Sequence, residues 1–186
     1  HITYDEKYEE FRKMCLDIVP EMSEYNVVNF YKIWLLEEFS KQFDFVLYLD
    51  FDVFVNTDIN YFEFNNLVEE VSVFSQEPSE MTHLDFRRPY VDINYRSPTA
   101  KYWNCHAMLF EECWPADNRI FNTGIVGASK ETMKQLEYFE DFEETLDLMT
   151  HLKTDTESSY PQHVQNCFGY DNETVFSFKI KTNGVK

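Results

Sequence analysis

Two aspartates, Asp50 and Asp52, stand one residue apart inside the run VLYLDFDVFVNT, residues 46–57. In a strand, residues i and i+2 share a face, so this spacing directs both carboxylates into one small volume. Unpaired there, they repel each other and lose hydration. The spacing therefore predicts a positive group beside them. A divalent cation suits the site, because hard ions such as Mg2+ and Mn2+ take carboxylate oxygens and keep positions open for water and substrate phosphates. Open α/β sheets bind ligands at the carboxyl ends of their strands, and the two aspartates follow such an end.

Other readings stay open at this point. The nucleophile motif of haloacid-dehalogenase-type phosphatases is also Asp-x-Asp after an apolar strand. Here, however, Asp52 is followed by Val53 and Phe54, and no Gly-Asp-x-x-x-Asp motif comes later. Two strand-end aspartates can also simply cap a turn, as in a non-catalytic interaction domain.

The elements that must position this pair can be read from the pattern around it. DEKYEEFRKMCLDI spaces Tyr8, Phe11, Met14, Cys15 and Ile18 as a helix does, and Pro20 ends or disturbs it. HITY and NVVNF read as strands, and YKIWLLEEFSKQF as a helix with Ile33, Leu36 and Phe39 or Phe43 inward. DFVLYLD is apolar almost throughout, the mark of a central parallel strand covered on both faces. VEEVSVFSQ, RIFNTGIVGAS and TVFSFKI read as further strands. KETMKQLEYFEDFEETLDLMTHL reads as one amphipathic helix capped by Ser129, with a weaker helix over 157–168. Residues 77–118 hold four of the six prolines without sustained periodicity, and loops of that length are usually lids or binding loops. Alternating strands and helices predict a single α/β domain over 1–186, with a mostly parallel central sheet flanked by helices. The first residue is His rather than Met, so an excised domain of a longer protein or a processed form is expected.

Composition narrows the partners. Against 34 acidic residues stand 16 basic ones, a net charge of −18, so nucleic acid and anionic lipid are not expected partners. An anionic ligand needs local cations or a metal to reverse that field. Aromatic residues make up 18% of the chain, which argues for a packed core over disorder. Cys15, Cys105, Cys113 and Cys167 match no zinc spacing and read as buried free thiols. They favour a reducing compartment and a cytoplasmic location. The sequon Asn172-Glu173-Thr174 would matter only in a secretory lumen. No apolar run reaches the ~20 residues of a membrane span.

YKIWLLEEFSKQFDFVLYLDFDVFVNTDI resembles the donor-site core of GT-A-fold glycosyltransferases, metal-dependent enzymes that use nucleotide sugars. In them a helix with a basic residue precedes an apolar strand ending in Asp-x-Asp. RIFNTGIVGAS resembles the Phe-Asn-x-Gly strand that approaches the donor sugar. ITYDEKY is similar to the tail of the first strand, and YDNETVFSF to an acidic segment that closes the site. The aromatic, acidic style is also similar to glycosyltransferase domains of large algal viruses.

The resemblance implies a GT-A-like, Rossmann-like fold, with Mn2+ or Mg2+ as cofactor, a UDP-sugar as donor and a glycan or other hydroxyl as acceptor. By position it implies that Asp50 and Asp52 hold the metal, Asp52 the closer, with His163 the candidate third ligand. Thr3 and Tyr4 would hold the base and ribose, and Lys32 would reach a phosphate or sugar hydroxyl. Asn122 would bond the sugar, Gly124 would admit the backbone to it, and Asp171 or Glu173 would be the base of an inverting reaction. Each has a plainer structural alternative: a core tyrosine, a solvated lysine, a buried turn. Arg87, Arg88, Trp103 and Trp114 in the 77–118 segment suit phosphates and sugar faces.

Overall fold

The computed structural model describes residues 5–54, 71–75, 98–115, 120–157, 165 and 168–185. Asp5 opens the first helix, α1 (Glu6–Ile18), by accepting the Tyr8 N–H at 3.1 Å. Its inward stripe is Tyr8, Phe11 and Cys15, while Met14 of the expected stripe is exposed. Pro20 falls just beyond the end of α1.

NVVNF, expected as a strand, lies in the second helix, α2 (Glu24–Ser40). Ser23 decides this locally, accepting the Asn26 N–H through its hydroxyl and so satisfying a donor that a starting helix would leave unpaired. α2 buries Phe30, Tyr31, Lys32 and Ile33 in succession, so it is covered on several sides and lacks a clean stripe. Ile33 and Leu36 point inward as expected, but Phe39 and Phe43 are exposed.

The sheet departs from expectation. Among the described residues it has three strands, β1 (Phe45–Leu49), β2 (Val71–Ser75) and β3 (Phe121–Ser129), in the order β1-β3-β2. Both pairings are antiparallel, so neither the parallel sheet nor the central place of DFVLYLD is seen. The continuous apolar run of β1 has a different cause. Val46 packs inward, whereas Leu47 and Leu49 remain partly exposed, and an antiparallel sheet tolerates one wetter face.

Part of the 77–118 segment is ordered as a third helix, α3 (Pro98–Glu111), rather than a loop; Trp103 falls within it, and Arg87 and Arg88 lie outside the described residues. After β3 the single long helix expected is two, α4 (Lys130–Leu136) and α5 (Phe142–Thr154). The break falls where Glu137 adopts a left-handed φ of 47°, and the turn that follows buries Tyr138. TVFSFKI is not a strand but part of a sixth helix, α6 (Asn172–Thr182). Most of 157–168, with Cys167, lies outside the described residues.

The aromatic residues are the core's connectors. Tyr8 and Phe11 of α1 meet Tyr31 of α2, and Phe11 meets Phe139. Phe30 of α2 meets Phe142 of α5, and Tyr138 lies 6.1 Å from the ring of Phe176 in α6. Helix α6 packs on both α3 and β3, which sets the three elements of the site beside one another. Among the described cysteines, Cys15 and Cys105 are buried as expected, but Cys113 is exposed. No helix among the described residues is long and apolar enough to cross a membrane.

Candidate active site

The site is organised around an irregularity in β3. Val73 of β2 opposes Val126, but the next residue, Phe74, opposes Asn122, so Thr123, Gly124 and Ile125 have no partner in β2. Such register shifts are frequent beside functional sites, because they release backbone groups and redirect side chains. The released groups are used at once. The Thr123 N–H donates to Glu173 Oε1 at 3.1 Å, and the Gly124 N–H donates to Asn122 Oδ1 at 2.8 Å.

On one side of this stretch lies Asp50. The Asp50 N–H donates to the Gly124 carbonyl at 2.8 Å, extending the β1–β3 ladder by one bond beyond Leu49. Its carboxylate turns toward Gly124 so closely that an added Cβ would lie 3.0 Å from Asp50 Oδ2 and 2.9 Å from Asn122 Oδ1. Any side chain there would force these two side-chain ends to shift. The close approach seen at Gly124 is to these side chains, whereas the sequence reading placed the donor sugar there.

Asp50 has the positive neighbour that its spacing predicted. Lys32 Nζ lies 3.6 Å from Asp50 Oδ1 and 5.1 Å from the centre of the Tyr48 ring. The Tyr48 hydroxyl donates to the same Oδ1 at 2.6 Å. Lys32 is only 4% exposed, so it is no solvated surface lysine. Burial lowers its affinity for a proton, opposed by the charges of Asp50, Glu173 and Asp171. Burial, then the bond to Asp50, pushes the Tyr48 hydroxyl far above its ordinary value, so it stays a donor.

Asp52 is placed differently from expectation. β1 ends at Leu49, and residues 51–52 form a turn in which the Val53 N–H donates to the Asp50 carbonyl at 3.0 Å. The i, i+2 rule of a strand therefore does not apply. Both carboxylates still act on Tyr48, and Asp52 is exposed, as is Phe51 between them. Beside them an open groove of about 610 Å³ runs between α2 and β1, lined by Lys32, Leu35, Phe39, Tyr48, Leu49 and Phe51.

On the other side of Thr123 lies the start of α6. Asp171 caps this helix, its Oδ1 accepting from the N–H groups of Glu173 at 3.0 Å and Thr174 at 3.1 Å. Glu173 takes the Thr123 N–H on one oxygen and an ion pair with Lys101 of α3 on the other. Asn172 Nδ2 donates to Thr123 Oγ1 at 2.8 Å, and its own carbonyl accepts from the Tyr138 hydroxyl at 3.1 Å. Burial pushes the Asp171 carboxyl up to about 6, with Lys101 opposing and Glu173 adding to the shift. Ser177, one helical turn beyond Glu173, accepts the Phe121 N–H at 3.0 Å. A helix advances about 6 Å in four residues and a strand about 6.6 Å in two, so α6 can serve alternate residues of β3.

Asp50, Lys32, Asn122, Gly124, Asp171 and Glu173 are thus gathered around residues 122–124. Thr3, Tyr4 and His163 lie outside the described residues. Two participants escaped the sequence reading. Tyr48 was visible in principle, two residues before Asp50 at the end of the same strand. Lys101 had no local signal, standing 72 residues from Glu173.

No group of three or more His, Cys, Asp or Glu residues suited to a metal occurs among the described residues. Asp50 and Asp52 fit instead as half of a Mg2+ or Mn2+ site. They are hard oxygen donors, one fixed by its neighbours and one open to water, and such ions commonly use one or two carboxylates plus substrate phosphates.

A buried lysine, an aspartate pair after a strand and a carboxylate pair on a helix N-terminus are thus brought together in an α/β protein. The family model for glycosyl transferase family 8 matches residues 3–167, and the chain belongs to that family. It is a glycosyltransferase family, which implies a sugar donor and an acceptor and suggests a GT-A-like α/β fold. No curated protein and no solved structure gives a significant match.

Proposed function

We propose that the chain transfers a hexose from a UDP-sugar to a hydroxyl acceptor, with Asp50 and Asp52 holding a divalent cation against the donor diphosphate. The observation that carries this is the convergence on Gly124. There Asp50, fixed by Lys32 and Tyr48, and Asn122 close on one glycine beside the open groove lined by Lys32, Tyr48 and Phe51. Family membership favours a transferase over a phosphatase or an interaction domain. The UDP-hexose donor rests on family precedent.

When bound, the cation would supply Lewis-acid stabilisation of the charge on the departing diphosphate. The protein's own groups do the rest. Lys32 adds a buried positive charge beside the phosphates, where low polarity strengthens it. Asn122 bonds the sugar, and Thr3 and Tyr4 hold the base. His163 is the proposed third ligand. At the start of α6, Asp171 and Glu173 place negative charge where the anomeric carbon becomes positive, a preorganised electrostatic contribution.

An inverting reaction would draw its base from Asp171, because Glu173 has both oxygens committed to Thr123 and Lys101. A retaining reaction would leave the acceptor proton to the departing phosphate. NMR of the product anomer separates the two.

Thermal shift with UDP, GDP, UMP and ADP, each with and without Mn2+, tests the proposal. UDP with Mn2+ should stabilise the protein by about 2.7 kcal/mol at 100 times its Kd. Asp50→Ala and Asp52→Ala should each abolish that shift while melting as cooperatively as the parent. If both variants keep a metal-dependent shift, the cation is not held by this pair.

A further inference from the structure

We propose that Lys101 is a positioning residue of the transfer reaction, reaching from α3 to hold Glu173 against β3 and to keep the Asp171–Glu173 pair ionised. The role rests on the glycosyltransferase proposed above. Its geometry is independent of that reaction. Lys101 Nζ bonds Glu173 Oε2 and lies 3.9 Å from Asp171 Oδ2, with its side chain 13% exposed. Glu173 is then gripped at both oxygens, by Thr123 on one and Lys101 on the other, and has no freedom to rotate. Its carboxylate stays beside Thr123 and Gly124 at the interrupted part of β3.

Several other charges and hydroxyls face this pair. Lys32 comes from α2, Tyr138 from the turn before α5, and the capping N–H groups of Glu173 and Thr174 from α6 itself, while Tyr25 of α2 faces Lys101. Lys32 is shared with Asp50 on the far side of β3. Lys101 is therefore the cation dedicated to the α6 carboxylates among the described residues. Without it, two like charges would be buried together, and one of them would take up a proton near neutral pH. As a stabilising device a buried ion pair does little, since an apolar replacement often costs nothing. Its benefit is the ionisation and orientation of carboxylates that the reaction uses.

The test is Lys101→Met beside Lys101→Arg, read in two ways. Carbon-13 NMR of carboxyl-labelled Asp and Glu, on the free protein, should show the Asp171 midpoint in Lys101→Met raised by about one pH unit or more. In transfer assays the donor KM should stay within about threefold, kcat should fall by tenfold or more, and the acid limb of the pH profile should move up with Asp171. These are the consequences of losing an oriented charge needed in the transition state. Lys101→Arg should restore the acid limb. If Lys101→Met does not fold, Lys101→Gln keeps a donor to Glu173 without the charge and is read the same way. An unmoved carboxyl titration, or a kcat loss with an unmoved acid limb, overturns the proposal. A parent protein that transfers no sugar from any UDP-hexose overturns the transferase instead, and that is seen before any variant is made.

Discussion

Two acid-x-acid triplets meet at β3, Asp50-Phe51-Asp52 and Asp171-Asn172-Glu173, and they are built in opposite ways. The first follows a strand, and its turn leaves Asp52 and Phe51 in solvent. The second opens a helix, and all three of its residues are buried. Asp50 is held by a lysine and a tyrosine, while Asp52 is open to whatever arrives. Asp171 and Glu173 are satisfied inside the protein by helix N–H groups, Thr123 and Lys101. The same residue types therefore do different work. A pair with one carboxylate in water is open to a ligand, whereas a buried pair held by helix N–H groups and a lysine presents oriented charge.

Gly124, which touches Asp50 of the first pair directly, gives the largest expected effect. Gly124→Ala would push a methyl to within 2.9 Å of Asn122 Oδ1 and 3.0 Å of Asp50 Oδ2. The collision should displace both side chains, costing about 1–3 kcal/mol of stability by overpacking and about 100-fold in transfer rate by misplacement. Chemical denaturation and a donor-hydrolysis assay measure the two effects. Full activity in this variant would mean that Asp50 and Asn122 need not hold their present places.

The second pair is broken by neutralising it. The Asp171 carboxyl is pushed up to about 6 by burial, from an ordinary 3.8. It binds its proton more tightly in the folded chain, so its contribution to stability is complete below pH 3.8 and is lost as pH rises through about 6. Asp171→Asn keeps a side-chain oxygen for the helix cap and cannot ionise. Its urea stability should lose the decline between those pH values and exceed the parent's at neutral pH by up to about 3 kcal/mol, with the Lys101 contact given up. A less stable variant at neutral pH would show that the ionised carboxylate is a net gain to the fold.

The smallest effect sharpens the first pair. Tyr48→Phe removes one hydrogen bond to Asp50 and leaves Lys32 beside it, costing about 1 kcal/mol. Donor affinity should weaken by roughly fivefold, measurable by calorimetry with UDP and Mn2+. An unchanged affinity would mean that Lys32 alone orients Asp50.

Legibility in the sequence followed the range of the interactions. β1, β3, α1 and the Ser129 cap were readable because apolar runs, helical spacing and capping are local. NVVNF and TVFSFKI were misread as strands for a shared reason. α2 and α6 are buried on several faces, so neither shows a polar stripe, and a short apolar run with β-branched or aromatic residues then looks the same in either form. The decisive residues were their caps, Ser23 and Asp171, each of which supplies an oxygen to the first helical N–H groups. The antiparallel pairing of β1 was out of reach, because an apolar strand does not carry the direction of its neighbour.

By itself the sequence determined that two carboxylates follow a strand, that Asn122 and Gly124 share another, and that a second carboxylate pair stands before the last apolar run. Spacing along one chain is enough for such statements. Only the tertiary structure decided that these three places meet, because α2, α3 and α6 each pack on an interrupted β3 or its neighbours. It also assigned the cations, Lys32 to Asp50 and Lys101 to Glu173. Ion pairing acts through space and falls with distance, and nothing in the order of residues records which charges the fold will bring within reach.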